Sequence, residues 1–246
     1  MNLRGKTAIV TGGAVRLGRA ICEALAARQC NVVVHCRHSL SEAKELTTGL
    51  VAHGVRAFVV RGDIATESGC KSVMKLAVKL AGKPDILINN ASVFNCGRLS
   101  DVTEEDILEQ LRINFVTPAI LMREFLRHTS RGKIINMLDR RVAGNEAGCM
   151  AYLMSKKALA ELTRSSAIEL APGIAVNGVA PGPVLPAVGQ HLDKDKRKAG
   201  YVPLGRKPTP ADVAEAVIFL LEADAITGQV LFVDGGQHLL AGGERA

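Results

Sequence analysis

Thr7-Ala8-Ile9-Val10-Thr11-Gly12-Gly13-Ala14-Val15-Arg16-Leu17-Gly18 is the stretch that decides the fold. Its first five residues make a short apolar run bounded by glycine, the mark of a strand covered on both faces. From Leu17 to Arg28 the apolar residues recur at helical spacing. A strand that turns through glycines into a helix points backbone N–H groups at the helix N-terminus. That place favours a pyrophosphate, and glycine lets the main chain approach it. A glycine-rich turn alone is a weak signal; after a strand, before a helix and at the head of a βαβ pattern it gains weight. The bland alternative is a turn with no ligand. Gly12, Leu17 and Gly18 are thus candidate cofactor contacts. Arg16 stands where the common pattern has a second glycine. Its guanidinium suits cofactor phosphate or a polar substrate edge, and the competing reading is a solvent-facing helix residue.

Outward from this stretch the same alternation continues. Candidate strands are Thr7–Thr11, Asn31–Cys36, Ala57–Arg61, Ile86–Asn89, Lys133–Met137, Ala175–Val179 and Gln229–Val233. Candidate helices are Leu17–Arg28, Ser41–Ala52, Glu67–Leu80, Glu104–Arg127, Met150–Leu170 and Pro210–Leu221, with Pro118 kinking or bounding the fourth. Strands of this kind alternating with helices predict an α/β fold, one doubly wound parallel sheet of about seven strands with helices on both faces. No linker or repeat divides residues 1–246, so one domain is expected. Residues 181–208 lack periodicity and carry many Pro, Gly and Lys; they read as a long surface loop of the kind that covers a site.

Composition narrows the function classes. The chain has 246 residues, 48% of them hydrophobic, and a mean hydropathy of +0.17, enough for a large core. No apolar run reaches the roughly 20 residues of a membrane span, so no membrane partner is expected. The N-terminus runs straight into the first strand and leaves no room for a signal peptide, so a cytoplasmic location is expected. The six cysteines show neither CxxC nor metal-ligand spacing; they read as buried reduced thiols, and no metal is expected. The formal charge is +7, but the basic residues are scattered, and the densest group, Lys194 to Lys198, is broken by Asp195. A solvated surface explains this most simply; an anionic cofactor or substrate is the sharper reading. Aromatics are 3% with no Trp, which argues against a base-stacking nucleic-acid surface.

The second strand speaks to cofactor type. An NAD site usually ends it with an acid for the ribose hydroxyl. Here it ends Val34-His35-Cys36-Arg37-His38-Ser39, without an acid. Arg37, with His38 and Ser39, suits a 2′-phosphate, so NADPH is the expected cofactor.

Tyr152 and Lys156 lie one helical turn apart and share a face. An ammonium near a phenol stabilises the phenolate, so Lys156 is expected to lower the pKa of Tyr152. Such a pair is common and means little alone. It is joined here by the glycine loop, by Asn89-Asn90-Ala91-Ser92 after the fourth strand, by Asn114 in a helix and by Ala180-Pro181-Gly182-Pro183 after the sixth strand. In this order the motifs resemble the short-chain dehydrogenase/reductase family across essentially the whole chain. The resemblance implies a Rossmann-type sheet of order 3-2-1-4-5-6-7, an Asn–Ser–Tyr–Lys catalytic set and a homotetramer. It also implies cofactor contacts at Asp63, Ile64, Asn90, Ala91, Ser92, Tyr152, Lys156, Pro181, Gly182 and Val184, with Asn114 propping a water near Lys156.

The family's serine falls on Asp139, thirteen residues before Tyr152. With the Thr-Gly-x-x-x-Arg-x-Gly loop and the Asn-Asn-Ala-Ser-x-Phe stretch ending at Phe94, this is similar to the pteridine reductase branch, which includes dihydrofolate and dihydromonapterin reductases. That resemblance implies that Phe94 stacks on a pterin and that Arg16, Ser92, Asp139 and Tyr152 contact it. The chemistry agrees. A ketone oxygen wants a hydroxyl donor, whereas an ionised carboxylate only accepts and suits the N–H groups of a 2-aminopterin. The expected activity is therefore NADPH-dependent reduction of a pteridine. The alternatives are a carbonyl reductase, for example of 3-oxoacyl thioesters, and a non-catalytic NADPH sensor, against which the Asn114, Tyr152 and Lys156 set argues. Phe94 as plain core and Asp139 as a turn cap are the bland readings.

Overall fold

In the computed structural model, residues 1–185 and 201–240 are described. Seven parallel strands form one sheet: β1 (Thr7–Val10), β2 (Asn31–Cys36), β3 (Ala57–Arg61), β4 (Ile86–Asn89), β5 (Gly132–Met137), β6 (Ile174–Pro181) and β7 (Val230–Val233). Their order is β3-β2-β1-β4-β5-β6-β7, as the resemblance implies. The helices are α1 (Arg16–Ala27), α2 (Leu40–Val51), α3 (Glu67–Ala81), α4 (Glu104–Leu111), α5 (Thr117–Leu126), α6 (Met150–Glu169) and α7 (Pro210–Glu222).

Strand alternation feeds two apolar layers. Ala8, Val10, Val32, Val34, Ile86 and Ile88 point to the side covered by α1, α2 and α7. Ile9, Val33, Leu87, Ile134 and Val176 point to the side covered by α3, α5 and Ala167 of α6. The central strands β1 and β4 are therefore buried along their whole length, whereas the edge strands β3 and β7 are only partly buried. Burying a Val, Leu or Ile side chain in such layers contributes about 1.5–3 kcal/mol before chain entropy is charged against it.

Two expectations are corrected. The single helix over Glu104–Arg127 is two helices joined by a π-helical segment, Arg112–Val116, in which the Thr117 N–H reaches the Arg112 carbonyl. Pro118 has no N–H and stands at the start of α5, so a regular helical ladder cannot run through this point. The cysteines are not all buried. Cys22, Cys30, Cys36 and Cys70 are, but Cys96 is exposed and Cys149 half-buried, and all six are free. Those two lie on irregular segments joined by the Gly97–Cys149 bridge, outside the sheet's apolar layers. Of the expected surface loop, Pro181 still belongs to β6 and residues 182–185 and 201–208 are irregular; the rest, with the Lys194–Lys198 group, lies outside the described residues.

Candidate active site

The C-terminal ends of β1, β4, β5 and β6 carry the candidate residues to one edge of the sheet. Beyond β1, Gly12 takes φ +58°, and a Cβ there would stand 3.1 Å from the Ala91 Cα. A Cβ on Gly18 would lie 2.2 Å from the Gly12 carbonyl oxygen, so α1 meets its loop only through glycine. Asn90 fastens the loop to β4: its Nδ2 donates to the Thr11 and Gly12 carbonyls, both at 2.9 Å. The Thr11 hydroxyl in turn accepts from the Asn90 and Ala91 N–H groups. Arg16 opens α1 with φ +55°, occupying the left-handed region that the expected glycine would take. No side chain caps α1 and no acid stands in its first turn, which leaves its positive end to an external anion.

Under the loop, buried His35 accepts from the Gly12 N–H at Nδ1 (3.2 Å), so its Nε2–H donates to the Gly62 carbonyl (3.1 Å). Burial pushes its pKa below the ordinary value. Past the end of β2, Arg37 and His38 are exposed and Ser39 is half-buried. Arg37 pairs with Asp63 at 2.9 Å. Arg61, at the end of β3, donates to the Arg37 carbonyl and adds a second guanidinium to this corner. Sequence reasoning missed Arg61; register decides its place, since the β2–β3 pairing sets it opposite Cys36, next to Arg37. The Ile64 carbonyl accepts from the Thr117 hydroxyl at 2.8 Å. At the end of β6 the Gly182 N–H donates to Val233, and the Val184 N–H to the Gly182 carbonyl.

The reactive end lies between β5, the 92–94 segment and α6. The Tyr152 hydroxyl donates to Asp139 Oδ2 at 3.0 Å. Phe94, 42% exposed, sets its ring edge-to-face with Tyr152, centroids 4.6 Å apart. Lys156 is buried; its Nζ donates to the Met137 carbonyl at 2.8 Å and lies 5.8 Å from the Tyr152 ring centroid. Burial lowers the Lys156 pKa to about 8. The expectation that Lys156 acidifies Tyr152 is corrected: burial, then the charge and hydrogen bond of Asp139, hold the phenol well above its ordinary pKa. The nearest charge to the hydroxyl is a carboxylate, which stabilises the protonated phenol.

The Asn114 side chain joins two segments of the site. Its Oδ1 accepts from the Ser92 hydroxyl (2.9 Å) and the Val93 N–H (3.0 Å), while its Nδ2 donates to the Ser155 hydroxyl (3.0 Å). It therefore ties the segment bearing Phe94 to the helix bearing Tyr152. Arg141 is a further residue that sequence reasoning missed. It donates to Asp139 through its N–H (2.9 Å to Oδ1) and its guanidinium (3.1 Å to Oδ2), and to Glu146 through Nε (2.7 Å).

Similarity to known proteins identifies the family. A family model described as enoyl-(acyl carrier protein) reductase matches residues 13–238. YmfI, an uncharacterized oxidoreductase of Bacillus subtilis, is 33% identical and aligns with 95% of this chain and 99% of its own. The galactitol 2-dehydrogenase of Agrobacterium fabrum is 32% identical, over 97% and 100%. Among solved structures, FolM alternative dihydrofolate reductase 1 from Brucella canis, complexed with NADP, superposes with a TM-score of 0.91 at 33% identity, over 97% of this chain and 96% of that one. The chain belongs to the short-chain dehydrogenase/reductase family and is an oxidoreductase.

Proposed function

We propose that this protein is an NADPH-dependent reductase of pteridines such as dihydrofolate, dihydrobiopterin or dihydromonapterin. The observation that carries the reading is a carboxylate, Asp139, in the serine position, hydrogen-bonded to Tyr152 beside the half-exposed Phe94 ring. A carbonyl oxygen would meet a charge that repels it there, whereas an aminopyrimidine edge brings N–H donors that a carboxylate accepts.

The residues fit the cofactor. The Gly12 and Gly18 close approaches and the uncapped, acid-free start of α1 suit a pyrophosphate. Arg37, Arg61 and His38 suit the 2′-phosphate. Gly182 and Val184 at the end of β6, with Ala91 and Ser92, would line the nicotinamide end. When bound, NADPH supplies a hydride from nicotinamide C4; the pteridine gains that hydride at C6 and a proton at N5. Lys156, buried and cationic below about pH 8, would hold the nicotinamide ribose. Phe94 would hold the flat ring by stacking. Tyr152 stays protonated and, with Asp139, binds the aminopyrimidine edge; the N5 proton comes from water. With a fully oxidised pterin, the same two residues would relay a proton to N8.

Purified protein assayed for NADPH oxidation with dihydrofolate, dihydrobiopterin and acetoacetyl-CoA tests this. Turnover of a pteridine is expected; turnover of the thioester alone overturns it. We further propose one domain over residues 1–246 acting as a cytoplasmic homotetramer. Exposed Leu108 on α4 and Met154 and Ile168 on α6 support pairing of those helices between copies, checked by a light-scattering mass four times 26.1 kDa.

A further inference from the structure

We infer that Arg141 is a positioning and specificity residue: it fixes the Asp139 carboxylate as an acceptor for one substrate N–H and backs the Phe94 ring. The inference rests on the pteridine reading and deepens it. A carboxylate on a single-bonded stem turns freely about its last torsion. Asp139 has no such freedom, because its Oδ1 accepts the Arg141 N–H, and its Oδ2 accepts both the Arg141 guanidinium and the Tyr152 hydroxyl. An ionised carboxylate offers about four acceptor directions. Among the described residues three are used, which leaves one, on Oδ1, for a substrate donor.

The guanidinium is itself held. Nε donates to Glu146 Oε2, and Glu146 Oε1 is paired with Arg140 at 2.6 Å. The Arg141 Cζ lies 5.4 Å from the Phe94 centroid, within cation–π range. A planar fork can hold two carboxylates and a ring at once; the point charge of a lysine cannot. The simpler alternative is that Arg141 only stiffens the Arg140–Ala143 turn. That role predicts lost stability, with no change in substrate choice or pH profile.

The charged groups around Asp139 make the pH profile a discriminating readout. Tyr152 and Lys156 face it from α6, Arg141 from the turn, and Glu146 with Arg140 from behind that arginine. The Gln237–Leu239 turn packs against the same turn, and its His238 is engaged by Asp234 at 2.9 Å. Removing the Arg141 cation takes away the ion pair that faces Asp139 at 3.1 Å, so the acidic limb of kcat/KM should move to higher pH.

The test compares the wild type with Arg141→Met, Arg141→Lys and Glu146→Gln, each saturated with NADP⁺. Calorimetry gives the affinities for a 2-amino-4-oxopteridine and its 2-desamino analogue, and kcat/KM for a dihydropteridine is followed against pH. The wild type should prefer the amino compound by about tenfold or more, the worth of one charge-assisted bond. Arg141→Met should lose most of that preference and about tenfold in kcat/KM, with its acidic limb moved up by about one pH unit. Arg141→Lys should fall between, and Glu146→Gln, which removes only an anchor, should shift the same way by less. If Arg141→Met does not fold, Glu146→Gln and Arg141→Lys carry the test. A wild type with no amino preference defeats the pteridine reading. A wild-type preference that survives in folded variants with an unmoved pH profile overturns the role given to Arg141.

Discussion

Arg16 occupies a backbone conformation that L-residues avoid at a cost of about 1–2 kcal/mol, and it does so at the mouth of the phosphate loop. A glycine there would relax the backbone and remove the guanidinium. Arg16→Gly should therefore keep or raise the melting temperature while weakening NADPH binding about tenfold or more, a split that points to function rather than stability. Equal losses in both would contradict it. At the reactive end the usual order of phenol and ammonium is inverted. Tyr152 is held well above its ordinary value, and Lys156 titrates near 8. The lysine's charge is thus present below pH 8 and lost above it, while the tyrosine keeps its proton throughout. NADPH affinity should fall as pH rises through about 8, and a profile flat to pH 10 would refute the assignment. Asp139, Phe94, Tyr152 and Lys156 were legible in the sequence because motif order carries them. The direction of the tyrosine's shift was not, since spacing shows the lysine four residues away but not the carboxylate 3.0 Å from the hydroxyl. Arg141 was invisible for the same reason: spacing does not show that its guanidinium turns back on Asp139 and Glu146 and reaches the Phe94 ring.

At the scale of elements, the strands were legible almost to the residue, because burial on both faces leaves a continuous apolar run with sharp polar ends. The π segment was not. A helical pattern persists through it, and only Pro118 hints that the ladder breaks where Asn114 is needed. The link from β2 to the phosphate loop was hidden too, since a histidine in an apolar strand looks like plain core. His35 bridges Gly12 and Gly62 as the neutral Nε2–H tautomer, and its pKa is lowered by burial. The unfolded chain takes up this proton below about pH 6.5 and the folded chain resists it. Its contribution is therefore intact above that pH and lost as pH falls toward the depressed folded value. The melting temperature should drop between pH 7.5 and 5.5, and a His35→Asn variant, less stable at pH 7.5, should lose part of that slope. An unchanged slope in the variant would show that other groups carry it.

For the whole molecule, the doubly wound order gathers the loops after β1 through β6 along one edge, so the candidate cofactor and catalytic residues lie together although they are spread over most of the chain. Binding across that edge couples the loops to global stability, which makes cofactor choice readable as a thermal shift. A ligand at 100 times its Kd adds about 2.7 kcal/mol. For a chain of this size, 1 kcal/mol moves Tm by about 2–4 °C. Saturation with NADPH should then raise Tm by roughly 5–11 °C. NADH lacks the 2′-phosphate that Arg37 and Arg61 are placed to meet, and each charge-assisted bond lost is worth about 1.5–3 kcal/mol. At the same concentration NADH would lie near or below its Kd and shift Tm by no more than about 2 °C. An Arg37→Ala, Arg61→Ala double variant should bring the NADPH shift down to the NADH level, because both guanidinium groups are exposed and their removal leaves the sheet intact. Equal shifts for the two cofactors in the wild type would mean that the cations at the ends of β2 and β3 are surface charge and nothing more.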